Sequence, residues 1–263
     1  MTQVVEIQGE PLAVQVYEPL VHKGDALFVH GFTGSKEDFL LLGPLLAQRG
    51  YRILTSDNRG QHESPHSERT DAYTIPSLAR DAVALADHFG LERPHLLGHS
   101  FGGLVAQRAA VLAPQRWGSL TLFCTGPGAI PDSADLAATL ATLQTKSMAQ
   151  AWAEDRDAEA RFSPMYEIMK KRWLMSDARS VMTHAQHLMA EPSIVDQVRA
   201  TGMPVHVVYG ENDDAWPLAD QDEMARQLSA PVSVIKDAGH CPNEDQPAIT
   251  AQVLAQFWDH LGR

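Results

Sequence analysis

The chain has 263 residues, 33 acidic against 21 basic, and a formal charge of −12 at pH 7. An acidic surface repels phosphate backbones and anionic lipid, so neither nucleic acid nor a membrane is an expected partner. Two cysteines, Cys124 and Cys241, are too few for a disulfide framework, and a chain of this length can bury a core without one. Both are expected as free thiols.

The opening residues, 1–12, lack the basic segment and apolar stretch of a secretory signal. No later apolar run reaches membrane-spanning length, so the expected location is cytoplasmic. Short apolar runs at 12–16, 26–30 and 52–55 read as strands. Ile75, Leu78, Ala82, Leu85 and Phe89 then recur three and four apart, one face of a helix stopped by Gly90. Strand patterns return at 95–98 and 120–123. This alternation predicts a mostly parallel sheet in an α/β fold.

From 126 to 202 the alternation stops and the sequence turns helix-prone and rich in methionine: Met148, Met165, Met169, Met175, Met182 and Met189. A helical insertion is expected there, with the core at 1–125 and 203–263. Its methionines, with Trp152 and Trp173, are expected to pack the inserted helices more than to line a pocket, although thioethers suit both roles. Strands resume at 205–209 and 232–235. A closing helix follows, with Asp245 as its cap, Pro247 in its first turn, and Ile249, Val253, Phe257 and Leu261 on its apolar face.

Gly98-x-Ser100-x-Gly102 stands between a strand and a helical stretch. At ordinary glycine and serine frequencies, roughly one unrelated chain in ten of this length carries the pattern by accident. Its position carries more weight. A sharp strand-to-helix turn needs small residues on both sides of a serine, and it aims the hydroxyl outward beside free amides. The bland alternative is a serine that merely caps the helix. A serine hydroxyl needs a base, and the base an orienting carboxylate. Asp213 follows the strand at 205–209 and His240 follows the strand at 232–235, giving the chain order Ser, Asp, His.

With His30-Gly31-Phe32, Asp57-Asn-Arg59-Gly60, Gly98-His-Ser-Phe-Gly102, Gly210-x-x-Asp213-x-x-x-Pro217 and Gly239-His240 followed by Glu244 and Pro247, nearly the whole chain resembles the α/β-hydrolase superfamily. The resemblance implies a mostly parallel eight-stranded sheet flanked by helices, with residues 126–202 as a lid. It implies Ser100 as nucleophile, His240 as base, Asp213 as its orienter, and the amides of Phe32 and Phe101 as the oxyanion hole. Asp214 is an alternative acid, but the spacing from Gly210 to Pro217 matches Asp213. The chain departs from the family loop D-x-R-G-x-G-x-S at His62, which stands where a glycine is usual.

Asp57, Arg59 and His30 are expected to be structural. His184 and His187 lie three apart, but no carboxylate or cysteine pattern completes a metal site, so neither metal nor cofactor is expected. The expected activity is hydrolysis of a small carboxylic ester through an acyl-enzyme. The rivals are a lactone, thioester, amide or carbon–carbon substrate or acyl transfer on the same triad, and a non-catalytic binding protein on the same scaffold. The oligomeric state stays open.

Overall fold

The computed structural model describes residues 2–130, 133–154 and 166–262. Eight strands form one sheet: β1 (Gln3–Ile7), β2 (Glu10–Tyr17), β3 (Gly24–Val29), β4 (Tyr51–Ser56), β5 (His95–His99), β6 (Ser119–Phe123), β7 (Val205–Gly210) and β8 (Val232–Ile235). Their order is β1-β2-β4-β3-β5-β6-β7-β8. Pairing is parallel from β4 through β8, whereas β1 and β2 run antiparallel at one edge. The seven strand runs read from the sequence all appear, extended by a residue or two in most cases.

Strand β1 is the addition. It is a short edge strand, mostly exposed, so it lacks the continuous apolar run that marks a central strand. Its signal is the turn that follows, where Gln8 and Gly9 both take positive φ (54° and 78°) and pair Ile7 with Glu10 across two residues.

The helices are α1 (Leu42–Gln48), α2 (Ile75–His88), α3 (Phe101–Leu112), α4 (Ala134–Leu143), α5 (Met148–Glu154), α6 (Tyr166–Met175), α7 (Ala178–Ala190), α8 (Val195–Ala200), α9 (Leu218–Leu228), α10 (Pro242–Asp245) and α11 (Pro247–Leu261). Helix α2 starts where Thr74 accepts a bond from the Ser77 amide, and it buries Ile75, Leu78, Ala82 and Leu85 as their spacing requires. Gly90 follows at φ 59°. Leu27, Phe28, Leu96, Leu97, Leu120, Leu122 and Val207 fill the centre of the core. Each such side chain contributes roughly 1.5–3 kcal/mol on burial.

Two expectations about α11 need correction. Gln246, not Asp245, stands at its N-cap, and no side chain caps it. Asp245 closes the short helix α10 instead and turns its carboxylate to accept the Gly239 amide at 2.8 Å. The buried face carries Thr250, Ala251, Leu254, Ala255 and Trp258, while Ile249 and Leu261 are exposed and Val253 and Phe257 only partly buried. The 3.6-residue period is right, but the face is turned by one residue so that the large Trp258 ring reaches Phe28 and Tyr51.

Helices α4 to α8 all fall between β6 and β7. Leu143, Met148, Ala151 and Val181 form a separate apolar cluster there, joined by Phe32, Trp173 and Met182. Met148 and Met182 therefore pack, as expected, whereas Met175 and Met189 are exposed. Met165 lies outside the described residues. Trp173 serves packing twice, through this cluster and through an indole bond of 2.8 Å to the Met148 carbonyl. The inserted helices are fastened to the core where the Asp177 amide meets the Gly60 carbonyl at 2.7 Å and Ser180 Oγ meets the Arg59 carbonyl at 3.1 Å. No helix among the described residues is long and apolar enough to cross a membrane.

Candidate active site

Ser100 stands between β5 and α3 with φ 55° and ψ −124°. A left-handed φ at a non-glycine residue costs of order 1–3 kcal/mol and persists only where the surroundings enforce it. They do: the Ser100 amide donates to the Phe123 carbonyl at 2.9 Å, and its own carbonyl accepts from Gly103 at 2.8 Å. The turn is also too tight for larger neighbours, since a Cβ at Gly98 would be driven into the Gly102 carbonyl and one at Gly102 into that of Val29. Ser100 makes no capping bond with its side chain. The bland alternative, a serine kept for capping, is thereby removed.

Asp213 sits in the loop after β7, and backbone bonds from Glu211 to Ile235 (2.9 Å) and from Asn212 to Ala238 (2.9 Å) tie that loop to the one carrying His240. His240 Nδ1 lies 2.8 Å from Asp213 Oδ1. The Ala215 amide donates to the same oxygen at 3.1 Å, and Gln221 Nε2 on α9 to Oδ2 at 3.0 Å. Burial alone would raise the Asp213 carboxyl, but the bonds and charge of His240, with those of Gln221 and Ala215, hold it below the usual carboxylate range. Asp214, by contrast, is exposed. Gln221 had no sequence signal, because one glutamine on an amphipathic helix looks like any other.

Ser100 Oγ makes no hydrogen bond to His240. Such contacts are often long without substrate and tighten in its presence. The two residues are joined instead through His99, whose ring lies 5.0 Å from that of His240 and whose Nε2 bonds the His240 carbonyl at 2.8 Å. On the other side, Phe101 is the first residue of α3, so its amide has no intrahelical acceptor. Among the described residues neither it nor the Phe32 amide meets an acceptor.

The loop after β4 supports this region. Asp57 accepts the Lys36 amide at 2.7 Å and Lys36 Nζ at 3.0 Å, fixing the segment that follows Phe32. Arg59 pairs with Asp81 rather than Asp57, at 2.6 and 2.8 Å, and reaches the Ile7 carbonyl at 2.7 Å. His30 is fully buried and neutral, since burial lowers its pKa; Nε2 accepts from the Asn58 amide at 2.9 Å and Nδ1 bonds the Gly31 carbonyl at 2.8 Å. All three are engaged by backbone groups or ion pairs.

His62 takes φ 48°, the left-handed form that a glycine adopts freely. Its Nδ1 stands 3.2 Å from Glu37 and 3.4 Å from Asp57, distances of ion pairs without the geometry of directed hydrogen bonds. Burial opposes its charge, but Asp57 and Glu37 outweigh that and raise its pKa to about 9.

His184 and His187 do not converge. His184 stacks on Phe101 at 4.3 Å, and His187 Nδ1 bonds Glu191 at 2.7 Å. Among the described residues, two other groups hold metal-type donor atoms within 4.8 Å of one another: His99 with Cys124 and His240, and Glu37 with His62 and Glu63. In the first, His99 and His240 are engaged as described, and burial and the nearby Asp213 push the Cys124 thiol well above its usual range. In the second, Lys36 Nζ already sits 2.8 Å from Glu37 and 2.7 Å from Glu63, where a cation would go. Cys124 and Cys241 are both free thiols.

The Alpha/beta hydrolase family matches residues 26–253. The chain is 25% identical over 247 residues to an sn-1-specific diacylglycerol lipase of Mus musculus, covering 88% of this chain and 80% of that one. It is 22% identical over 264 residues to 3-oxoadipate enol-lactonase 1 of Acinetobacter baylyi, covering 95% and 94%. A thermophilic esterase from Thermogutta terrifontis superposes over 100% of both chains with a TM-score of 0.80 at 22% identity, which shows a shared fold. The chain belongs to the alpha/beta hydrolase family, and it holds a nucleophile-elbow serine and a buried Asp213–His240 pair consistent with a serine-hydrolase triad.

Proposed function

We propose that the protein cleaves a carboxylic ester of a small molecule through an acyl-enzyme, with Ser100 as nucleophile, His240 as base and Asp213 as its orienter. One observation carries this reading: Ser100 is held at a strained φ with no capping bond, and His99, the residue before it, bonds the backbone of a histidine already oriented by a buried carboxylate. Ser100 Oγ attacks the carbonyl carbon and His240 takes its proton. The tetrahedral intermediate collapses when His240 returns that proton to the leaving alcohol. Water, deprotonated by the same ring, then attacks the acyl carbon; the bond to Ser100 Oγ breaks, His240 returns the proton to Oγ, and the acid leaves. The Phe32 and Phe101 amides are the proposed donors to the oxyanion, a role in which one donor is typically worth about 10²- to 10³-fold in rate. This chemistry calls on no cofactor.

Residues 126–202 are proposed as the lid, a role supported by the packing of Phe32 into the apolar cluster of the inserted helices. A cavity of about 600 Å³ between α4, α5 and α6, lined by Thr142, Leu143, Ala151 and Trp173, adjoins that cluster. A larger one of about 770 Å³ lies between α1 and α11 near Gly50, at the starts of the parallel strands, and is remote from the chemistry. The relatives bear names of a lipase and a lactonase, so lactone cleavage is the second reading. A serine-directed fluorophosphonate tests the assignment by peptide mapping: the label is expected on Ser100, and a label elsewhere with Ser100 untouched overturns it.

A further inference from the structure

Setting the distance between a nucleophile and its base is a demand on the backbone. Here the two stand on loops separated by 140 residues of chain, and Asp213 orients the ring of His240 without touching the turn of Ser100. We infer that His99 is a positioning residue, whose ring fixes the His240 loop against the Ser100 turn and the Gly31 loop. This rests on the reading of Ser100 and His240 as nucleophile and base.

Four contacts meet on the His99 ring, one of them with the Phe123 ring at 5.4 Å. Nε2 lies 2.8 Å from the main-chain carbonyl of His240, so the residue immediately before the nucleophile grips the base's own backbone. The two imidazoles lie with centroids 5.0 Å apart and planes at 40°, which fills the space between the loops. At the other edge, Nδ1 faces Gly31, where a Cβ would come within 3.3 Å of it and 3.0 Å of Ser100 Cβ. His99 is therefore a spacer between the base, the nucleophile and the loop that leads into Phe32.

Its chemistry suits a fixed strut. His99 is only 4% exposed, and burial together with the nearby His240 pushes its pKa down to about 4, so it stays neutral when the base takes a proton. A neutral ring that bonds a carbonyl through Nε2 must carry its proton there, which fixes the tautomer. Nδ1 then keeps its lone pair, is buried and has no hydrogen-bond partner. An unpartnered buried nitrogen is unfavourable for stability alone. Phenylalanine would fill the same space without that cost, so the histidine is explained by the bond at its other nitrogen.

The test compares His99→Phe, which keeps the ring and removes the donor, with His99→Gln, which restores a side-chain N–H. Misplacing a reacting group by about 1 Å can cost 10²-fold. With a p-nitrophenyl ester, His99→Phe is expected to lower kcat by roughly 10- to 100-fold at near-parent KM, with a matching fall in the rate of fluorophosphonate labelling and an unchanged or higher Tm. His99→Gln is expected to recover part of kcat. Parent-like kcat in His99→Phe overturns the inference, whatever its Tm. Ser100→Ala and His240→Ala are run beside them: turnover in either defeats the triad itself, whereas two dead variants beside a fully active His99→Phe defeat the positioning role alone.

Discussion

Gln221 donates to Asp213 Oδ2 at 3.0 Å, on the carboxylate oxygen that His240 leaves free. Asp213 is thus held at both ends, by a base on one oxygen and a helix side chain on the other. The carboxylate plane, and with it the direction in which His240 is oriented, is set by α9.

Asp213→Asn is expected to lower kcat by about 10³- to 10⁴-fold, because an amide favours the wrong imidazole tautomer. Asp214→Asn should stay near the parent, since that side chain is exposed. Gln221→Leu should fall between them, about 10-fold down, as the carboxylate loses its bond at Oδ2. Ester turnover beside circular dichroism of each variant is the measurement. Equal losses in the two Asn variants would mean that the aspartates act as a pair.

The proposed base can be told from the buried histidines in the same assay. His240→Ala is expected to lose turnover by at least about 10³-fold. His30→Ala and His62→Ala should remain active, with lower thermal stability, because His30 bonds backbone groups and His62 an acidic cluster. A dead His30→Ala that remains folded beside an active His240→Ala would reassign the base.

Stability should fall on the alkaline side through His62. Its folded-state pKa of about 9 lies above the unfolded value of about 6.5, so its contribution is fully present below about 6.5 and is lost as pH rises through 9. The shift corresponds to roughly 3 kcal/mol at most. Urea unfolding at pH 6, 7.5 and 9.5 should therefore show a steeper loss in the parent than in His62→Gly, which keeps the left-handed turn without the charge. Parallel profiles would mean that the ion pairs with Glu37 and Asp57 contribute nothing.

The elbow should not tolerate a methyl group. Gly102→Ala would drive Cβ into the Val29 carbonyl, a backbone atom with no room to yield. A loss of about 3 kcal/mol is expected, or roughly 6–12 °C in Tm for a domain of this size. Calorimetry checks it. An unchanged Tm would show that the turn relaxes more readily than its packing implies.

Much of this was legible in the sequence because short-range physics writes it there. Apolar runs exposed seven of the eight strands, three-and-four spacing placed the buried face of α2, and the glycines around Ser100 marked a turn that admits nothing larger. The Ser, Asp, His order at strand ends named the residues that the fold draws together. Edge strand β1 was faint because an exposed strand needs few apolar residues, and the face of α11 was misread by one position because Trp258, not Ile249, meets the sheet. Only the tertiary structure set Asp213 rather than Asp214 against His240, put Gln221 on its second oxygen, paired Arg59 with Asp81, filled the Glu37–Glu63 site with Lys36, and laid His99 against His240. The Arg59–Asp81 and His99–His240 contacts join residues 22 and 141 positions apart, and no local pattern records which distant partner satisfies a given polar group. Burial decides it, because a polar atom removed from water must find its partner wherever the packed chain supplies one.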